Sequence, residues 1–322
     1  MAATRNSLSA DFRERVGTFL ATRLQPEGTL WVGLSGGCDS VVLVHVLSQL
    51  LPGRISAIHV HHGLSPNADA WAEFCTGYCE RLGIPLTIRR VTVDVSSGLG
   101  LEAAARAARY AAFAECVGEY LLLAQHRGDQ AETVLFNLLR GTGVTGAAGM
   151  PAERGFGKLR LLRPLLDVSR IEIERYAAAE GLDWINDESN ADTALTRNFL
   201  RHEAFTAISQ RFPSAEASLA LAASHFAEAA GLLDDLAEYD WQGTGEGDSA
   251  RLPALRQLSL PRLKNLLRHR LRCLGWQVPV AARLEEFARQ LQTAAPDRHP
   301  ELLLPDGKMR VSCGRLHWLP EK

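Results

Sequence analysis

At 322 residues the chain exceeds one ordinary core and predicts two domains of roughly 100–200 residues each. Hydrophobic residues make up 46% and charged residues 22%, the balance of a soluble globular protein. A formal net charge of -2 excludes a globally basic nucleic-acid binder and leaves room only for a local basic surface.

In chain order, residues 8–24 predict an amphipathic helix, with Phe12, Val16, Phe19 and Leu20 at helical spacing. The apolar run 30–34 then predicts a strand ending in a Gly-rich turn, and 41–51 a helix. The alternation repeats: strands at 55–60, 86–93 and 120–124, helices at 68–82, 101–117 and 129–139. A strand at 159–163 and a helix at 169–180 extend the series. Strands and helices in this order predict a parallel α/β sheet covered on both faces. Past residue 200 the pattern becomes mainly helical and ends in short strands around Asp306-Gly307. The expected division is a domain over 1–210 and a second, smaller one over 211–322. Residues 251–280 hold seven Lys/Arg and no acid, which predicts an RNA-facing surface.

No apolar run reaches the ~18 residues of a membrane span. The N-terminus has no secretory pattern, and Asp11 and Glu14 argue against a transit peptide. The six cysteines form no C-x-x-C unit, which predicts reduced thiols in a cytoplasmic protein. Cys75 and Cys79, four apart on one helix face, predict packing rather than zinc.

The chemistry concentrates first at Ser35-Gly36-Gly37-Cys38-Asp39-Ser40, between a strand and a helix. Two glycines let the backbone turn sharply, so its N–H groups converge on an anion at a helix N-terminus. Ser35 and Ser40 would add hydroxyl donors. Asp39 is out of place beside phosphate unless it holds Mg²⁺ or caps the helix. The motif is not a G-x-x-x-x-G-K-[ST] loop. It resembles the signature loop of the N-type ATP pyrophosphatases, a superfamily that cleaves ATP between the α and β phosphates to adenylate carbonyl oxygens.

Further blocks resemble one member family, the tRNA(Ile)-lysidine synthetases. One is Ile58-His59-Val60-His61-His62-Gly63-Leu64. Another is the stripe Glu102, Arg106, Arg109, Tyr110 and Phe113. A third is Ala124-Gln125-His126-Arg127-Gly128-Asp129-Gln130-Ala131-Glu132-Thr133, followed by Arg140-Gly141-Thr142-Gly143. Arg163-Pro164-Leu165-Leu166, 184–190 and Arg197-Asn198-Phe199-Leu200-Arg201 complete the set. Asp129 and Glu132 share one face of a first helical turn, where carboxylates either grip an ammonium group or complement the helix dipole.

The resemblance implies a two-step ligation in which ATP, with Mg²⁺, adenylates the C2 oxygen of the wobble cytidine of tRNA(Ile) with a CAU anticodon. L-lysine then displaces AMP to give lysidine, which pairs with A rather than G. It implies ATP binding at Ser35, Gly36, Gly37, Cys38, Asp39 and Ser40, with Mg²⁺ on Asp39. Asp39, Asp129 and Glu132 would be catalytic, the last two also binding lysine. His61, His62, Arg106, Arg109 and Arg197 would contact nucleotide or tRNA.

Gly128 departs from the pattern, which usually has a second Asp there. The alternatives are a tRNA thiolase of the same superfamily, which should carry cysteine pairs, and a catalytically impaired RNA-binding homologue. A homodimer is compatible with the reading. Family members often carry a further C-terminal domain that grips the acceptor stem. The chain ends at Lys322 without one, as a short or truncated form would.

Overall fold

The computed structural model describes residues 2–94, 96, 98, 100–187, 196–295 and 298–321. They fall into two compact units, Met1–Phe226 and Ala227–Lys322.

The first unit opens with α1 (Ala2–Ala21), β1 (Leu30–Gly33), α2 (Cys38–Leu50) and β2 (Ile55–His61). Next come α3 (Ala68–Leu82), β3 (Leu86–Arg90), α4 (Leu101–Ala114), β4 (Tyr120–Leu122) and α5 (Arg127–Leu139). A short α6 (Val144–Ala147) leads to β5 (Glu153–Phe156), β6 (Leu159–Leu162) and α7 (Arg170–Glu180). After α8 (Thr196–Phe199) comes a π-helical turn, Leu200–Ala204, then α9 (Phe205–Arg211) and α10 (Ala215–Thr244), which carries the chain across the boundary at 226.

The sheet order is β3-β2-β1-β4-β6-β5, parallel except for β5 against β6. Its two faces bury separate cores. Val16 and Leu20 of α1, Val42 of α2, Tyr78 of α3 and Ile173 of α7 belong to one. Phe113 of α4 packs with Ile58, Leu121 and Leu161 on the other. A central strand must therefore be apolar on both sides, which is why Tyr120, Leu121 and Leu122 are all buried. The chain leaves β1 for β2 on one side while β4 lies on the other, so the carboxyl ends of β1 and β4 border the switch-point crevice where such sheets bind ligands.

Two departures lie at the edges. β3 stops at Arg90 rather than at 93, because its partner β2 ends at His61, which pairs with Arg90. β5 has no sequence signal: Glu153-Arg154-Gly155-Phe156 carries no alternation, being an edge strand held by backbone pairing to β6.

The second unit carries a five-stranded antiparallel sheet, order β7-β8-β11-β10-β9. Its strands are β7 (Gly245–Glu246), β8 (Ser249–Arg251), β9 (Glu301–Leu304), β10 (Gly307–Ser312) and β11 (Arg315–Pro320). α11 (Leu252–Leu255), α12 (Leu260–Cys273) and α13 (Ala281–Thr293) share one core with it, through Leu263, Leu267, Phe287, Leu291, Met309 and Trp318.

Of the seven bases in the stretch 251–280, three are paired with acids, and the others donate to carbonyls, lie over a ring or have no acid partner among the described residues. Arg262 pairs with the buried Asp240, Arg272 with Asp234, and Lys264 with Glu285 at 2.8 Å. Arg256 donates to the carbonyls of Leu291 and Ala294, closing the end of α13. Arg251 donates to Gly243 O, and the Arg270 guanidinium lies 3.7 Å over the Trp241 ring. The acids that answer these bases lie on other helices, distant in sequence.

Candidate active site

The loop after β1 is braced from within. Ser40 Oγ donates to Gly37 O at 2.9 Å, receives Ser35 N at 3.1 Å and lies 3.1 Å from Ser35 Oγ. In the loop without nucleotide the Ser40 hydroxyl is bonded within the loop itself. Gly36 has φ 91, and a Cβ there would stand 2.5 Å from the Ile185 side chain, so both the turn and the overlying chain require glycine. Ile185 N donates to Gly36 O at 2.9 Å and straps the segment before residue 188 onto the loop. Gly37 caps α2 with no side-chain hydrogen bond, so the first amides of α2 are left to an external anion. Burial pushes the Cys38 thiol up to about 11, which keeps it protonated; Cys38 contributes backbone, not a nucleophile.

Asp39 points from this loop into a cluster of charge. Arg170 NH1 lies 2.8 and 2.7 Å from its two oxygens, and His126 Nε2 lies 4.0 Å from Oδ2. Burial raises the Asp39 pKa, against the opposing pull of His126 and Arg170. His126 caps α5: its Nδ1 accepts Gly128 N at 3.0 Å, which leaves Nε2 as the protonated nitrogen facing Asp39 and, at 3.7 Å, Asp129.

Asp129 Oδ2 accepts His126 N at 3.0 Å and completes the capping box. Its other oxygen accepts Arg201 NH2 at 2.9 Å. The same guanidinium donates to Glu132 at 2.6 Å through Nε and 2.9 Å through NH2. The acidic pair therefore holds a cation from the π-helical turn. Burial pushes the Glu132 carboxyl up and Arg201 pulls it down, with burial prevailing. Gln130 clamps the following loop, accepting Met150 N at 2.8 Å and donating to Met150 O at 3.0 Å. The D-Q-x-E-T block thus divides into residues that face the crevice and residues that hold the next loop.

The other expected residues separate. His61 is bonded to Asp69 and Arg90, each at 3.2 Å. His59, the least favoured of the three histidines, is the one that touches it: its Nδ1 lies 2.9 Å from Leu34 O, just before Ser35. Burial and the nearby Arg109 push His62 down to about 4, so it is neutral. Arg106 lies over the Tyr110 ring and donates to its hydroxyl at 3.2 Å; Arg197 pairs with Glu102 at 3.2 Å. Burial, then the neighbouring Arg106, lowers the Arg109 pKa, and among the described residues no carboxylate is bonded to Arg109. Glu188, Ser189 and Asn190 lie outside the described residues. A Cβ at Gly128 would stand 2.8 Å from His126 Cε1 and 3.8 Å from Glu216 Oε2.

Sequence reasoning passed over Arg170, Arg201 and His126. Arg201 stood in the 197–201 block, but only Arg197 was singled out there. The signal for Arg170 is the capping box Ser169–Glu172, which fixes it as the first residue of a helix. Its pairing with a residue 131 positions away has none.

A parallel sheet with an uncapped, glycine-turned loop at its switch point, holding a carboxylate among cations, defines a PP-loop domain. That domain family matches residues 8–208, and the substrate-binding domain of the lysidine synthases (TilS) matches 251–317. Curated tRNA(Ile)-lysidine synthases from Nitrosomonas europaea, Pseudomonas fluorescens and Aromatoleum aromaticum are 42%, 44% and 46% identical. The matches cover 94%, 89% and 89% of this chain and 67% of each relative. The chain belongs to the tRNA(Ile)-lysidine synthase family. A U34-tRNA thiolase from Methanococcus maripaludis shares the fold, with TM-score 0.54 and 17% identity over 69% of this chain and 80% of its own.

Proposed function

We propose that the chain ligates L-lysine to C2 of the wobble cytidine of tRNA(Ile) with a CAU anticodon, consuming ATP through an adenylated cytidine. The observation that carries this reading is the acidic pair Asp129–Glu132, linked to the loop through His126 at 3.7 and 4.0 Å and already holding a guanidinium. A site that accepts three hydrogen bonds from Arg201 has the charge and acceptor geometry for a lysine ε-ammonium.

In the first step the cytidine C2 oxygen attacks the α phosphate and diphosphate leaves. The uncapped amides of α2 receive its charge. In the second, the ε-amine must be neutral to attack C2. Glu132, with its carboxyl raised by burial, is suited to take that proton.

Among the described residues no three acidic, His or Cys side chains gather as a metal cage. Asp39 fits Mg²⁺ in the manner usual with nucleotides, as one carboxylate completed by phosphate and water. Bound there, Mg²⁺ would neutralise phosphate charge. Arg106, Arg109, Arg197 and the neutral His62 form the site proposed for a nucleotide or tRNA phosphate. Among the described residues no helix is long and apolar enough to cross a membrane.

The test is incorporation of labelled lysine into unmodified tRNA(Ile), with ATP–diphosphate exchange measured alongside. Incorporation of sulfur instead, or exchange without lysine transfer, would sink the reading. Asp39→Ala is expected to abolish exchange.

A further inference from the structure

We infer that Arg170 is the catalytic cation of the phosphate loop, released from Asp39 when ATP binds and turned onto the departing diphosphate. The inference rests on the ATP-cleaving reading above and deepens it. A carboxylate in an anion-binding loop opposes its own ligand. Arg170 resolves the conflict by holding both Asp39 oxygens through one nitrogen, NH1. Its Nε is bonded to Glu174 at 2.8 Å. NH2 is uncommitted among the described residues, and the side chain is 41% exposed, so two donors remain for a phosphate oxygen.

The backbone beneath it is fixed. The reciprocal bonds of Ser169 and Glu172 set the start of α7, and Ile173, Tyr176 and Ala177 bury that helix in the same core as α2, which carries Asp39. The guanidinium therefore swings on a rigid base beside the loop amides.

When the cytidine oxygen bonds to the α phosphorus, the bond from that phosphorus to the bridging oxygen breaks and its electron pair leaves with diphosphate. The negative charge grows on the diphosphate, which the free NH2 of Arg170 would meet; Mg²⁺ bound with the nucleotide would take the place of Arg170 on Asp39. The rival account is that Arg170 only braces the unliganded loop.

Calorimetric titration with inorganic diphosphate, without Mg²⁺, separates the two. Asp39→Ala is expected to bind diphosphate about tenfold more tightly than the parent, because the repelling carboxylate is gone and Arg170 is free. Asp39→Ala/Arg170→Ala is expected to lose that gain, and Asp39→Ala/Arg170→Lys to keep part of it. In ATP–diphosphate exchange, Arg170→Ala is expected to lower kcat by about 100-fold or more with a smaller change in the KM for ATP.

Equal diphosphate affinity with and without Arg170 in the Asp39→Ala background overturns the assignment. So does full exchange by Arg170→Ala. Asp39→Asn replaces Asp39→Ala if thermal melting shows the latter unfolded. Exchange by the parent without lysine transfer would defeat the ligase reading and leave the Arg170 assignment standing.

Discussion

Asp39, Asp129 and Glu132 share one predicament: each is a carboxylate drawn into a crevice, and each is answered by a cation from far along the chain. Arg170 answers Asp39, and Arg201 answers the pair on α5. For Arg201 this makes a prediction with a definite sign. Burial raises the Glu132 carboxyl and Arg201 opposes that rise. In Arg201→Met only the weaker pull of His126 opposes burial, and the folded pKa rises further. The ionised pair that receives lysine then forms only at higher pH, so the acidic limb of the lysine-incorporation profile should move upward by about a unit or more. An unmoved limb would show that Arg201 does not tune the pair. Residue types at this site were legible in the sequence, since glycines after a strand and carboxylates in a first helical turn have local causes. Their partners were not, because Arg170 lies 131 positions and Arg201 69 positions from the groups they bind. His59 was undervalued for the same reason: its bond to Leu34 O crosses from β2 to β1.

The elements that were read correctly are those whose own sequence carries their cause. β4 is apolar throughout because both its faces are covered, and α7 announces itself by a capping box. β5 was invisible because edge pairing needs only backbone. Three bases of the basic stretch, all on α12, find their acids on α10 and α13, which the linear sequence does not show. Lys264 and Arg289 draw the Glu285 carboxyl down from 4.5 to about 2, Lys264 first through its hydrogen bond. A depressed carboxyl stabilises the fold above its ordinary value and loses that stabilisation as pH falls through the depressed one. Glu285→Gln should therefore lower the urea midpoint at pH 7, and the gap from the parent should close as pH falls from 4.5 to about 2. A gap that persists below that window would place the effect in packing instead. The hairpin between β10 and β11 sets Cys313 at φ 50. Cys313→Asn should raise the melting temperature, by the equivalent of about 0.5–1 kcal/mol, because Asn tolerates that conformation better.

Across the whole chain the charge nearly cancels, at -2, and in the unit after residue 226 three of the seven bases of the basic stretch are spent on acids. Affinity for a polyanion must then come from particular uncompensated cations rather than from an overall field. Arg109 in the first unit is such a cation: half-buried, set among Arg106 and Arg197, and its pKa lowered by burial. Arg262 is the opposite case, spent on the buried Asp240. The two arginines should therefore fail differently. Arg109→Ala is expected to weaken tRNA binding and to reduce the slope of log affinity against log salt by about 1, with little change in melting temperature. Arg262→Ala leaves Asp240 buried without its partner and is expected to lower the melting temperature clearly, though less than the loss of a fully buried pair because the guanidinium is partly exposed. Its salt slope at a temperature where it is folded should match the parent. Filter binding of the same tRNA across a salt series, with melting curves for each variant, reads both quantities. If Arg262→Ala flattened the slope and Arg109→Ala did not, the RNA-binding charge would lie in the basic stretch after all, as its linear sequence suggested.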